Sequence, residues 1–318
     1  MHAALQLVVV AAGVAAIVWG AEAFAEHLSV AAVRLRVSAF ALAVLLAGAE
    51  PEELATTVTA ALRHSPGIAF GDVIGANIAI CLVALGVGAV LTPLPFGPSV
   101  LRYGLLGLPL AGVAAAMAWD GRVTRLEGGV LVGLYVAFIA VIWFVERRPP
   151  ALGETAELGE AAAAPVERRG RVGKELGFVV AGVVAMAGGA VLVVDGVRHL
   201  SHVESTQTRL GLVIVGFATA FELVVLAWSA ARRGVSEAVV AGVVGSYAYN
   251  VTMSLGAGAL ARPLRLAGAG QLHGPWLAMI ATLAAVLALA LPRRRLEPPV
   301  GWMLLAAYPI VIVSVLTR

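Results

Sequence analysis

The chain has 318 residues, 60% hydrophobic and only 13% charged, with a mean hydropathy of +0.94, where an ordinary soluble domain carries about 25% charged residues. Too few polar side chains are present to coat a water-soluble fold, so lipid must solvate most of the exterior. The formal net charge of +3 comes from arginine, Lys174 being the only lysine, and suits cytoplasmic loops and anionic lipid headgroups, not nucleic acid.

Spanning the hydrocarbon core takes about 20 apolar residues. Taken in chain order, the apolar stretches predict spans near 4–25, 37–62, 68–91, 100–119 and 127–145, then 176–197, 209–231, 236–260, 274–292 and 300–316. The first lacks basic residues ahead of it and is long enough to span, so no cleaved signal is expected. Cys81, alone in an apolar run, excludes an intramolecular disulfide. The expected fold is an all-α integral membrane protein of about ten transmembrane helices.

Between the fifth and sixth spans lies ERRPPALGETAELGEAAAAPVERRGRVGKE, charged, proline-containing and without apolar periodicity. It divides the chain into a five-helix unit at 1–145, a connector at 146–175 and a second five-helix unit at 176–318. With the N-terminus outside, the cytoplasmic segments hold fourteen Lys and Arg residues and the outer segments eight. The excess predicts a cell-membrane protein with both termini outside and the connector in the cytoplasm.

The two units resemble each other. Glu53 falls on Glu222, 169 residues on, while Gly75 falls on Gly245 and Gly86 on Gly256, each 170 on. A near-constant offset marks a duplicated unit. An odd number of spans per unit turns the second copy upside down, the inverted-repeat plan of many secondary transporters, whose site lies near the midplane between copies.

Each copy also places a glutamate inside an apolar helix after a break, with Gly48 and Pro51 before Glu53 and Gly216 before Glu222. A lone carboxylate in hydrocarbon costs several kcal/mol on most estimates, so it must face a cavity, a partner or an ion. Two carboxylates and freed backbone carbonyls make an oxygen-lined site of the kind Ca²⁺ prefers. The bland alternative is a pair of buried acids that hydrogen-bond neighbouring helices.

The first copy reads GAEPEEL (Gly48 to Leu54), then GDVIGAN (Gly71 to Asn77); the second reads FATAFEL (Phe217 to Leu223), then AGVVGSY (Ala241 to Tyr247). These segments resemble the Ca²⁺/cation antiporter superfamily, specifically the sodium/calcium exchanger membrane region. Its repeats carry G-T-S-x-P-E-L followed by G-N-x-x-G-S-N. The resemblance implies that Glu53 and Glu222 take the place of the two central metal-holding glutamates, that Ser246 matches a serine ligand, and that Asn250 matches an ion-facing polar position one turn on.

There are departures. The family's Thr and Ser become Ala49 and Glu50, its proline shifts to Pro51, and Ala76, Ile80 and Tyr247 replace polar residues. Glu50, three residues before Glu53, supplies an extra carboxylate, and closely spaced acids in a poorly solvated site resist full ionisation, which suits proton coupling. Thr219, Asn77 and Asp72 complete the candidate ion-binding set, with hydrogen bonding to their own or a neighbouring helix as the competing role. Glu52, roughly 100° from Glu53 on a helical wheel, is expected to be structural or at the vestibule. Thr56 and Thr57 are expected to bond back to their own helix.

Glu22 and Glu26 are expected at the interface, His199 and His202 on a solvated outer loop, and the repeat glycines at helix contacts. The resulting function is an antiporter moving Ca²⁺ or a similar divalent cation against Na⁺ or H⁺, without a cofactor. A transport-inactive sensor or scaffold of the same fold is the alternative. An intramembrane enzyme is disfavoured, since no HExxH, GxSxG or paired intramembrane aspartates occur.

Overall fold

The structure, a computed structural model, describes residues 2–34, 50–146, 172–233 and 237–317. The connector from 147 to 171 and the whole first half of the second predicted span, 37–49, with Gly48 and Ala49, lie outside the described residues.

The first half contains α1 (His2–Arg34), α2 (Pro51–Leu62), α3 (Pro66–Leu91), β1 (Leu94–Pro95), α4 (Pro98–Met117), β2 (Arg122–Val123) and α5 (Arg125–Glu146). The second begins with α6 (Val172–Leu200) and α7, which runs through Glu204–Leu210, Gly211–Val215 and Gly216–Thr219. After these come α8 (Phe221–Arg233), α9 (Glu237–Tyr249, Asn250–Ser254 and Leu255–Ala261), β3 (Leu264–Arg265), α10 (Gly270–Ala290), β4 (Arg295–Leu296) and α11 (Pro298–Leu316).

Among the described residues eight stretches are long and apolar enough to cross a membrane: α1, α3, α4, α5, α6, α7 with α8, α10 and α11. The other two predicted spans appear as the short helix α2 and as α9. The span expected at 209–231 is not one uninterrupted helix, for Ala220 breaks it between α7 and α8.

Proline places several helix starts. It occupies the first turn of α2, α3, α4 and α11, where its missing N–H would have had no intrahelical partner. Pro109 and Pro309 sit inside α4 and α11, as membrane helices tolerate when neighbours compensate the lost bond.

The halves repeat in detail. In α3 a π-turn covers Ile80–Ala84, and in α9 one covers Asn250–Ser254, 170 residues on. The strands pair between halves, β1 antiparallel with β4 and β2 with β3. Corresponding hydrogen bonds close the two ribbons, Phe96 N to Arg294 O and Leu266 N to Gly121 O, both at 2.8 Å. Gly121 and Arg294 precede matching strands, and both turn there with positive φ, 75° and 53°.

Glycine contacts follow the same two-fold pattern. A Cβ on Gly13 would stand 2.8 Å from the Gly189 carbonyl, and one on Gly20 would stand 2.7 Å from that of Gly182, with each contact reciprocated. A partner number that falls as the residue number rises means α1 and α6 run antiparallel. Gly86 of α3 meets Gly301 of α11, and Gly256 of α9 meets Gly128 of α5, so backbones approach where side chains are smallest. The interior lies around α3 and α9: every residue of α3 from Gly67 to Leu82 is buried.

Candidate ion-binding site

α2 begins inside the protein, and its first residues bring three carboxylates to one place. Glu50, at the N-cap, is 2% exposed, Glu52 3% and Glu53 0%. Across from them Asp72 of α3, also fully buried, accepts hydrogen bonds from two hydroxyls. Thr57 donates to Oδ2 at 3.2 Å and Thr219 to Oδ1 at 3.0 Å. Thr57 therefore serves another helix, contrary to the expectation that it bonds to its own. Thr219 also lies 3.2 Å from the Val215 carbonyl and 3.3 Å from that of Gly216, so its one proton has three acceptors within reach.

Glu53 stands beside Thr219 and within electrostatic range of Asp72, Glu50 and Glu52. Glu222, half-buried in the first turn of α8, acts on Glu52 and Glu50, and Ser246 of α9 lies beside Glu50. The acids thus form one chain of neighbours from Asp72 through Glu53 to Glu50, Glu52 and Glu222. Glu52, which helical-wheel geometry alone sets aside, belongs to it. The physical reason is that a helix starting in the interior turns its first residues toward protein on all sides.

Both carboxylate oxygens of Glu50 and of Glu53, and Oε2 of Glu52, are buried with no hydrogen bond of good geometry. Among the described residues no arginine, lysine or histidine forms an ion pair with Glu50, Glu52, Glu53 or Asp72. A buried carboxylate without donor or counter-charge is costly, so such a cluster calls for protons or cations. Among the described residues no three His, Cys, Asp or Glu side chains converge tightly enough to hold a metal ion.

The two asparagines divide their work. Asn77 Nδ2 donates to the Tyr247 carbonyl at 3.3 Å, and its Oδ1 accepts from Asn250 Nδ2 at 3.2 Å. That leaves Asn250 Oδ1, fully buried, as the carbonyl with no donor. The Ser246 hydroxyl bonds back to the Gly242 carbonyl at 3.2 Å, leaving its lone pairs available. Asn250 also opens the π-turn of α9, a distortion that widens the helix by one residue and recurs at functional sites.

The remaining candidates stand apart. His199 is exposed on the last turn of α6 and bonds to the Asp195 carbonyl, while Glu204 accepts from Ala267 N at 3.1 Å. Glu22 and Glu26 are exposed on α1. Gly75 does serve packing: a Cβ there would reach within 2.0 Å of the Leu212 carbonyl.

A profile of the family described as sodium/calcium exchanger protein matches residues 5–144 and 174–317, nearly the whole of both halves. The chain belongs to the sodium/calcium exchanger protein family. CaxA of Alkalimonas amylolytica is 24% identical to this exchanger over 306 residues, covering 93% of this chain and 94% of its own. The sodium/calcium exchanger MaX1 of Methanosarcina acetivorans is 30% identical over 141 residues, 41% of this chain and 39% of its own. Among solved structures, the sodium-calcium exchanger NCX_Mj superposes with a TM-score of 0.61 at 23% identity, covering 98% of this chain and 99% of that one, which establishes the shared fold. The exchanger is accordingly a multi-pass membrane protein of a cation-antiporting family.

Proposed function

We propose that the protein carries Ca²⁺, or a divalent cation of similar size, across the cell membrane in exchange for Na⁺ or H⁺. The observation that carries this reading is the run of buried glutamates Glu50, Glu52 and Glu53, in which both oxygens of Glu50 and Glu53 and Oε2 of Glu52 lack donors and with which no base among the described residues forms an ion pair. Hard divalent cations take six to eight oxygens, preferring carboxylates and carbonyls. Glu53 and Glu222 act as the metal ligands from opposite halves. Glu50, Ser246 and Asn250 add oxygens, Asp72 with Thr219 lies on the same path, and Asn77 holds Asn250 in position. Because the acids adjoin without converging, binding draws α2 and α8 together, and exchange proceeds by alternating access around the site.

The arginine excess supports a cytoplasmic connector at 146–175 and outer termini, with 1–145 and 176–318 as the two opposed repeats. No cofactor enters the scheme.

The test is transport by the purified protein in liposomes, with radiolabelled Ca²⁺ uptake followed under an imposed Na⁺ or pH gradient. Uptake driven by at least one gradient and lost in Glu53→Gln and Glu222→Gln is expected. Uptake driven by neither gradient overturns the calcium reading, and full activity in both variants overturns the assignment of the site.

A further inference from the structure

The arginines near the β2–β3 end of the helix bundle fall into two sets, Arg63 and Arg198, which share Asp195 at 3.2 and 3.5 Å, and others that form no ion pair among the described residues. The ribbons β1–β4 and β2–β3 lie at opposite ends of α4, whose 20 residues span about 30 Å. At the β1–β4 end, Glu297 pairs with Arg293 at 2.6 Å and with Arg295 at 3.1 Å. At the other end, Arg122 and Arg265 are register partners across β2–β3, and both are exposed. Arg125 and Arg262 flank the same ribbon, and none of these four forms an ion pair among the described residues.

Three acids of this end accept backbone hydrogen bonds and form no ion pair with these four arginines among the described residues. Asp120 accepts from Arg122 N at 2.9 Å, Glu127 from Thr124 N at 2.7 Å, and Glu204 from Ala267 N at 3.1 Å. Like charges set opposite each other weaken a ladder, and an anion between or beside them relieves the repulsion.

Beside this cationic rim an open cleft of about 60 Å³ lies between the start of α7, the start of α10 and the end of α11. Its polar part is Ser205, Arg209 and Gln271, and its apolar part is Leu212, Val315 and Leu316. Arg209 is exposed and has no ion pair among the described residues. On α11, Ile310 and Val313 are 69% and 57% exposed, so the apolar part continues onto a surface that faces hydrocarbon in the membrane. A guanidinium with hydroxyl and amide neighbours suits a phosphate, and an aliphatic groove running from it toward the bilayer suits an acyl chain.

We propose that this cleft seats an anionic phospholipid, its phosphate on Arg209, Ser205 and Gln271 and one acyl chain along Leu212, Val315 and Leu316. The flanking arginines raise the local concentration of such lipids and favour a negative headgroup over a zwitterionic one. This site is separate from the buried acids and does not depend on which cation the protein carries.

Native mass spectrometry of the delipidated full-length protein, titrated with phosphatidylglycerol or phosphatidylcholine of the same acyl chains, tests the assignment. The expected preference for phosphatidylglycerol is about fivefold, the worth of one arginine near an anionic surface. Arg209→Ala should abolish that preference, and Arg293→Ala, which removes a charge at the opposite end, should keep it. Val315→Trp should fill the apolar part and weaken phosphatidylglycerol binding. Equal binding of the two lipids, an unchanged preference in Arg209→Ala, or unchanged binding in Val315→Trp overturns the proposal. Thermal stabilisation of the wild type over Arg209→Ala by inorganic phosphate, matching that by phosphatidylglycerol, would make this a free-anion site and also overturn it.

Discussion

The Thr219 hydroxyl donates to Oδ1 of Asp72 at 3.0 Å, a bond between residues 147 apart in the chain and on opposite halves of the fold. Its alternative acceptors, the Val215 and Gly216 carbonyls, belong to its own helix. If a cation or proton were to occupy Asp72, the hydroxyl could turn to either carbonyl without backbone movement. Thr219→Val should therefore cost about 1 kcal/mol of stability and slow exchange. A double-mutant cycle with Asp72→Asn should show a coupling of roughly 0.5–2 kcal/mol in thermal unfolding, and strictly additive losses would count against the tie.

Glu52 deserves the same test as Glu53. It is 3% exposed and acts electrostatically on both Glu222 and Glu50. Glu52→Gln is expected to weaken the apparent affinity for the transported divalent cation by roughly tenfold, about 1.4 kcal/mol. The dependence of uptake on Ca²⁺ concentration measures it. An unchanged affinity accompanied by lower thermal stability would return Glu52 to a purely structural role.

Much of this arrangement was legible in the residues. The Glu-Leu pairs at 53–54 and 222–223 and the glycines 170 apart disclosed two copies of one unit, and the apolar stretches located the helices. Glu52 was not legible, because a helical wheel assumes one buried stripe while α2 starts in the interior. Counted from helix starts, Glu222 corresponds to Glu52, the second residue of each helix; counted from the Glu-Leu dipeptide, it corresponds to Glu53. The π-turns at Ile80–Ala84 and Asn250–Ser254 also left no trace, since ICLVA and NVTMS contain neither glycine nor proline. The donors to Asp72 were hidden for a different reason. Only tertiary packing decides whether a threonine bonds to its own helix or to the next.

Glycine substitutions should separate backbone contact from open surface. Gly75→Ala places a Cβ 2.0 Å from the Leu212 carbonyl, which must shift, and the expected loss is about 1–3 kcal/mol or more. Gly133→Ala meets nothing within 4 Å and should be neutral or slightly stabilising. Thermal unfolding in detergent distinguishes them, and equal melting temperatures would contradict the packing described for α3 against α7.

The ion pair between Arg63 and Asp195, at 3.2 Å, joins α2 to α6, but its side chains are 42% and 28% exposed. Solvent screening leaves such a pair little net worth. Arg63→Ala should change stability by less than about 1 kcal/mol and leave transport intact. A larger loss in the same unfolding assay would show that the pair fixes the position of α2.

The two short ribbons have a consequence for the integrity of the chain. Each is made of one strand from either half, so Phe96 N finds its acceptor only at Arg294 and Leu266 N only at Gly121. Neither half alone can satisfy its own strand edges, while together they are stitched at both faces of the bundle. A polypeptide severed between 147 and 171 would accordingly leave two fragments that need each other, and co-production of the pieces should rebuild the whole where either by itself fails.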